Sequence, residues 1–198
     1  MMRIRLMLIA GALLMSACAC AETIVEDFEG GDISRWQPLS GDWIADDGAF
    51  IQLDASAPEY RMALFDRPWR GGSCEIVATP LERNANGNVG TSFGIVVKHL
   101  SEDRWCAARV GSYGKCSLIV RDGERKQTIS LGHFAPVPGR TYTMRVQVAG
   151  GMIALSREGL VVAILEDPFA DEAGRPGLFT ETRCRFESMT LDVAEEER

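Results

Sequence analysis

Lysine is scarce in this chain: Lys98, Lys115 and Lys126 are the only three among 198 residues. Basic residues total 21 against 28 acidic ones, for a formal charge of −7. A sequence so poor in positive charge has no electrostatic footprint for nucleic acid. It also repels anionic polymers overall, unless arginines gather locally. Histidine is rarer still, and the two present, His99 and His133, lack metal-ligand spacing. No segment keeps a 3.6-residue apolar period over a useful length, which excludes an architecture built on amphipathic helices. No apolar run reaches the roughly 20 residues that a membrane span needs.

What is present starts with an export signal. The basic start Met1-Met2-Arg3-Ile4-Arg5 leads into an apolar run from Leu6 to Met15 and then into small residues through Ala21. That order is the mark of a secretory signal. Its exit has two readings. Ala17-Cys18-Ala19 and Ala19-Cys20-Ala21 suit ordinary cleavage, while Leu14-Met15-Ser16-Ala17-Cys18 resembles a lipobox that would lipidate Cys18. The protein is therefore expected in the periplasm or outside the cell, released after Ala21 or held at the outer membrane through a lipid on Cys18. Cleavage after Ala21 removes Arg3 and Arg5 and moves the formal charge to −9. Residues 22–194 then form one domain, and the charged stretch 195–198 is a tail.

Cys74, Cys106, Cys116 and Cys184 remain beyond the export region, and an exported chain permits disulfides. Cys106 and Cys116 flank a turn at Gly111–Gly114, but in a regular hairpin they fall out of register and beyond disulfide reach. The pairing expected is Cys74–Cys184, with buried free thiols as the alternative.

The rest of the chain alternates with period two. Tyr142, Met144, Val146 and Val148 share one face, and Thr143, Arg145 and Gln147 share the other. This is a strand with one buried side. Similar runs at 23–28, 49–53, 60–65, 73–79, 91–99, 104–110, 115–121, 126–131, 152–157, 160–165, 176–180 and 184–193 are separated by turn dipeptides such as Asp47-Gly48, Asn86-Gly87, Asp122-Gly123 and Glu158-Gly159. The expected fold is all-β, a two-sheet antiparallel sandwich. In the last run Cys184 and Phe186 share one parity while Met189, Leu191 and Val193 share the other, which predicts a β-bulge near Glu187-Ser188.

Several segments resemble a known group. Asp27-Phe28-Glu29-Gly30-Gly31-Asp32-Ile33-Ser34-Arg35-Trp36, Gly41-Asp42-Trp43, Gly94-Ile95-Val96-Val97 and Gly177-Leu178-Phe179 are similar to bacterial concanavalin A-like domains. The look is that of 3-keto-disaccharide hydrolases and family 16 glycoside hydrolases. The resemblance covers about residues 24 to 194 and implies a jelly-roll sandwich acting on carbohydrate. It also implies a structural Ca²⁺ where first and last strands meet, with Asp27 and Asp192 as outward carboxylates; no other cofactor is expected.

The catalytic signatures fail. The Glu-x-Asp-x-x-Glu strand of family 16 is absent, and Cys74-Glu75-Ile76-Val77 offers one carboxylate where retaining hydrolysis needs two. Gly90-Thr91-Ser92-Phe93-Gly94 matches Gly-x-Ser-x-Gly but runs into a strand, whereas that elbow must open a helix. A binding groove is the better candidate. With Phe93, Ile95 and Val97 toward the core, alternation sends Lys98 outward, and Trp105, Arg109 and Arg121 follow on the next two strands. An indole that stacks on a sugar and arginine forks for hydroxyls or carboxylates make a plausible ligand face. The function expected is a non-catalytic glycan-binding module of the cell envelope. A hydrolase of the 3-keto-disaccharide type and an envelope protein-interaction module are the alternatives.

Overall fold

A computed structural model describes residues 20–54, 60–82, 91–111 and 115–194, with backbone alone at 20, 21 and 131–133. The expected signal with Cys18, the turn Asn86-Gly87 and the tail lie outside the described residues. Fifteen strands follow one another among the described residues. They are β1 (Cys20–Glu26), β2 (Trp36–Pro38), β3 (Trp43–Asp46), β4 (Ala49–Gln52), β5 (Arg61–Phe65), β6 (Gly72–Pro80), β7 (Phe93–Ser101) and β8 (Arg104–Val110). After these come β9 (Lys115–Asp122), β10 (Arg125–His133), β11 (Tyr142–Ala149), β12 (Met152–Arg157), β13 (Leu160–Glu166), β14 (Arg175–Thr180) and β15 (Cys184–Ala194). The described helical content is one 3₁₀ turn, Glu29–Gly31.

Turn chemistry sets the hairpins. Asp47 and Gly48 both take positive φ (48° and 64°), as do Glu158 and Gly159 (49° and 75°). Positive φ at both central residues is what a type I′ turn requires, and its twist matches that of paired strands. Hydrogen bonding then builds two antiparallel sheets. The first runs β13-β12-β11-β6-β15-β4-β3, with β1 also on β15; the second runs β10-β9-β8-β7-β14-β5-β2.

The facing sides of the sheets enclose the main core. Ile76, Met144, Val146, Phe186 and Leu191 from the first sheet meet Phe65, Phe93, Ile95, Val110 and Leu118 from the second. Each such side chain contributes about 1.5–3 kcal/mol by leaving water. One end is aromatic: Phe50 lies 5.6 Å from Phe28, 5.5 Å from Trp36 and 5.0 Å from Trp43, ring centre to ring centre.

The expected bulge is present. Phe186 faces Ala78 and Ser188 faces Val77, so Glu187 is the extra residue. It lets Cys184, Phe186, Met189 and Leu191 all reach the core.

The expected disulfide is not. Cys74, Cys106, Cys116 and Cys184 are all free and buried. Cys74 and Cys184 do lie on neighbouring strands, but Cys74 faces Leu191 while Cys184 faces Pro80. Six positions along β6 separate those rows, roughly 20 Å at strand rise. Cys106 and Cys116 miss each other too, since Cys106 faces Val120 and Cys116 faces Val110. Burial pushes the thiols of Cys74 and Cys106 up to about 12, and holds that of Cys184 well above its ordinary range.

Candidate functional site

The second sheet has a further layer on its outward side. Cross-strand register arranges it in rows. Lys126, Arg121, Trp105, His99 and Arg175 make one row across β10, β9, β8, β7 and β14. The next row holds Thr128, Ile119, Ala107, Val96, Gly177 and Leu64. A third holds Ser130, Ser117, Arg109, Gly94, Phe179 and Met62. Met62, Leu64, Val96, Trp105, Ala107, Ile119 and Phe179 form a second apolar cluster, against which Tyr60 packs.

Of the four residues expected to line a groove, Trp105, Arg109 and Arg121 share this face and Lys98 does not. Between Val96, which faces Ala107, and Lys98, which faces Cys106, β7 carries one extra residue, Val97. The bulge reverses parity and turns Lys98 into the main core. There its side chain is fully buried, with Nζ 2.7 Å from Asp167 Oδ2 and 2.7 Å from the Phe169 carbonyl.

Trp105 is on the expected face but is not open to a ligand, since only 4% of it is exposed. It packs edge-on against Tyr60, with ring centres 5.6 Å apart. Tyr60 also leans on Phe179 at 5.0 Å, and Lys126 Nζ sits 4.4 Å from the centre of its ring. Tyr60 is thus the partly exposed aromatic here, and sequence reasoning passed over it. Arg109 is buried; its Nε donates to Ser117 Oγ at 3.0 Å, and its Nη1 pairs with Glu181 Oε1. The other oxygen of Glu181 and Ser92 Oγ are buried without a hydrogen-bond partner among the described residues.

Arg121 and Lys126 are exposed. Arg175 is partly buried and anchored: Nε donates to the Phe65 carbonyl at 3.2 Å and Nη1 to Gln37 Oε1 at 2.6 Å. Beside it His99 is held below its ordinary pKa, first by burial and then by the Arg175 charge, with Glu102 opposing. His99 was set aside in the sequence because it has no metal-ligand spacing; the bulge at Val97 is what turns it to this face.

The residues expected to hold calcium do not meet. Thr23 faces Asp192 and Glu26 faces Met189, so Asp27 continues the strand four positions from Asp192, roughly 13 Å away. Asp27 Oδ1 accepts from the Glu29 amide at 3.0 Å. Asp192 accepts from Thr23 Oγ1 at 2.8 Å and Ser73 Oγ at 2.7 Å. Among the described residues no group of three or more His, Cys, Asp or Glu is placed to hold a metal.

No protein-family model matches the chain. It is 26% identical over 141 residues, 69% of its length, to an extracellular exo-α-L-arabinofuranosidase of Streptomyces chartreusis, of which the match spans 16%. Among solved structures it is similar to the carbohydrate-binding module CBM66 from Bacillus subtilis, with TM-score 0.64 and 12% identity over 80% of this chain and 93% of that one. It is also similar to a Bacillus licheniformis β-glucanase, with TM-score 0.63 and 11% identity over 88% of this chain and 98% of that one. Identities this low carry the fold alone. With the sheet order and the two layers described above, the chain has the concanavalin A-like jelly-roll sandwich found in carbohydrate-binding modules and glucanases.

Proposed function

We propose that this protein is an exported, non-catalytic glycan-binding module whose ligand lies across the outward face of the second sheet. One observation carries the reading: a row across five strands sets Lys126, Arg121 and Arg175 beside Trp105 and His99, with Lys126 over the half-buried ring of Tyr60. Such a row offers donors to sugar oxygens beside an aromatic surface. The likeness to a carbohydrate-binding module and to part of an extracellular arabinofuranosidase supports it. A binding role is also favoured by the acids of this face. The three rows hold no carboxylate, and Glu181 just beyond β14 is already engaged by Arg109, whereas retaining or inverting hydrolysis needs two carboxyls close together.

The test is retention of the purified mature protein on insoluble polysaccharides and on a glycan array. Arg121→Ala and Tyr60→Ala should weaken retention while leaving the unfolding temperature nearly unchanged for the exposed arginine. Absence of binding to any glycan refutes the reading. Export is tested separately: the mass of the N-terminal peptide from envelope fractions distinguishes a lipid on Cys18 from cleavage after Ala21.

One observation favours an envelope protein-interaction role as a second reading. The edge strand β13 exposes Leu160, Val161 and Ile164 at 66%, 57% and 50%. Apolar side chains on an unpaired edge suit strand addition by a partner. Partners that co-purify with the native chain and are lost with Ile164→Lys would support it.

A further inference from the structure

The glycan face carries cations that the rest of the molecule leaves unneutralised. Off this row several arginines and lysines are matched by acids: Arg35 by Glu26, Arg61 by Asp54, Lys98 by Asp167, Arg109 by Glu181. Arg121, Lys126 and Arg175 form no ion pair among the described residues, in a chain whose formal charge is −7. Their neighbours in the row are Trp105 and a histidine held below its ordinary pKa.

Asp103, Asp122, Glu172 and Glu102 stand at the hairpin end of this row, and exposed Asp66 follows Leu64 just beyond β5, the strand beside that of Arg175. Asp103 is bound by Ser101 Oγ at 2.5 Å, with Arg121 and Arg104 adding to the pull on its charge. Asp122 and Glu172 are taken by Arg104, at 3.2 and 2.7 Å. Glu102 stands near His99. The outward positions of the two adjoining rows carry no acid among the described residues.

Geometry adds to charge. Neighbouring strands lie about 4.8 Å apart, so Lys126 and Arg175, four strands apart, are separated by roughly 19 Å. The guanidinium of Arg175 is fixed by the Phe65 carbonyl and Gln37, and it keeps donors to spare from its five N–H groups. A fixed fork of this kind matches the paired oxygens of a carboxylate or sulfate. Several cations in line suit a chain that repeats its negative groups better than a single small anion.

Resting on the glycan-binding reading, we propose that the ligand is an anionic glycan, its acidic groups held along the row Lys126–Arg121–His99–Arg175. The locally basic row overrides the acidic average at short range, because charges beyond about 8 Å are screened at physiological salt.

The test uses the mature protein in affinity electrophoresis and calorimetry against polygalacturonate, heparin and neutral arabinan, at low and high salt. Polygalacturonate retained at low salt and released at high salt supports the proposal through carboxylate. Heparin retained alone supports it through sulfate. Removing exposed charges one at a time should weaken polyanion binding roughly two- to fivefold each, and Arg121→Gln/Lys126→Gln together about tenfold. Both side chains are exposed, so thermal unfolding should stay near that of the parent, and Arg121→Lys should restore part of the affinity. Salt-independent binding to arabinan that the double variant retains would overturn the proposal while leaving the glycan-binding reading intact. Binding to none of the three, nor to any glycan on the array, would overturn both.

Discussion

Replacing Lys98 with methionine keeps the aliphatic stem and removes the charge, which isolates the buried pair from its packing. In the native protein neither Lys98 nor Asp167 has an exposed side chain, and Nζ touches both Asp167 Oδ2 and the Phe169 carbonyl at 2.7 Å. After Lys98→Met, Asp167 keeps one donor, the Phe169 amide at 2.9 Å, and the Phe169 carbonyl loses the ammonium that it faces. Breaking a buried pair on one side costs about 3–5 kcal/mol, because the remaining charge is stranded. For a chain of this size that lowers Tm by roughly 6–20 °C. Guanidinium unfolding followed by tryptophan fluorescence measures the loss directly. Asp167→Asn should cost a similar amount, and Lys98→Met/Asp167→Asn less than the two together, with a coupling of about 0.5–3 kcal/mol. A single-variant loss below about 1 kcal/mol, or strict additivity in the cycle, would refute the reasoning.

The four described thiols should resist alkylation at neutral pH until denaturant is added, since burial holds Cys74 and Cys106 near 12; rapid labelling of the native protein would contradict so closed a core. The imidazole of His99, assigned by NMR with His99→Gln, should titrate below 6.5. Near pH 6 the unfolded chain then holds more protons at this site than the native one, so its contribution is present above pH 6.5 and is lost as the pH falls. A midpoint at or above 6.5 would contradict this. Deleting Glu187 should abolish folding, because the slip sends either Phe186 or Met189 to the wrong face. Glu187→Ala keeps the residue count and loses mainly the 2.6 Å bond from Thr79, about 1 kcal/mol by denaturant titration.

Much of the fold could be read from local pattern. Asp47-Gly48 and Glu158-Gly159 announce their hairpins because positive φ at both positions leaves few other uses for such a pair. The bulge at Glu187 was visible because polar residues sit between the two parities. The one at Val97 was not, since Val96 and Val97 are both apolar and both buried, on opposite sides of a sheet covered on each face. That silent bulge is why Lys98 was expected in the groove and His99 was not. Trp105 was expected to be open because alternation shows which side a residue takes, not whether another layer covers it. The cysteine pairing failed for a different reason. Register between β6 and β15 is fixed by contacts more than a hundred residues apart in sequence, which no local pattern contains.

The strand order has a consequence for how the protein is made. β15 separates β6 from β4 in the first sheet, and β14 separates β7 from β5 in the second. Each sheet is therefore stitched across its middle by one of the last two described strands. Until residues 175–194 are available, the halves of each sheet have no hydrogen-bonded connection, and the main core cannot close. A nascent chain built this way stays loose until that segment has been made. Closure of both sheets is thereby a single late event, because the two strands that complete them arrive together.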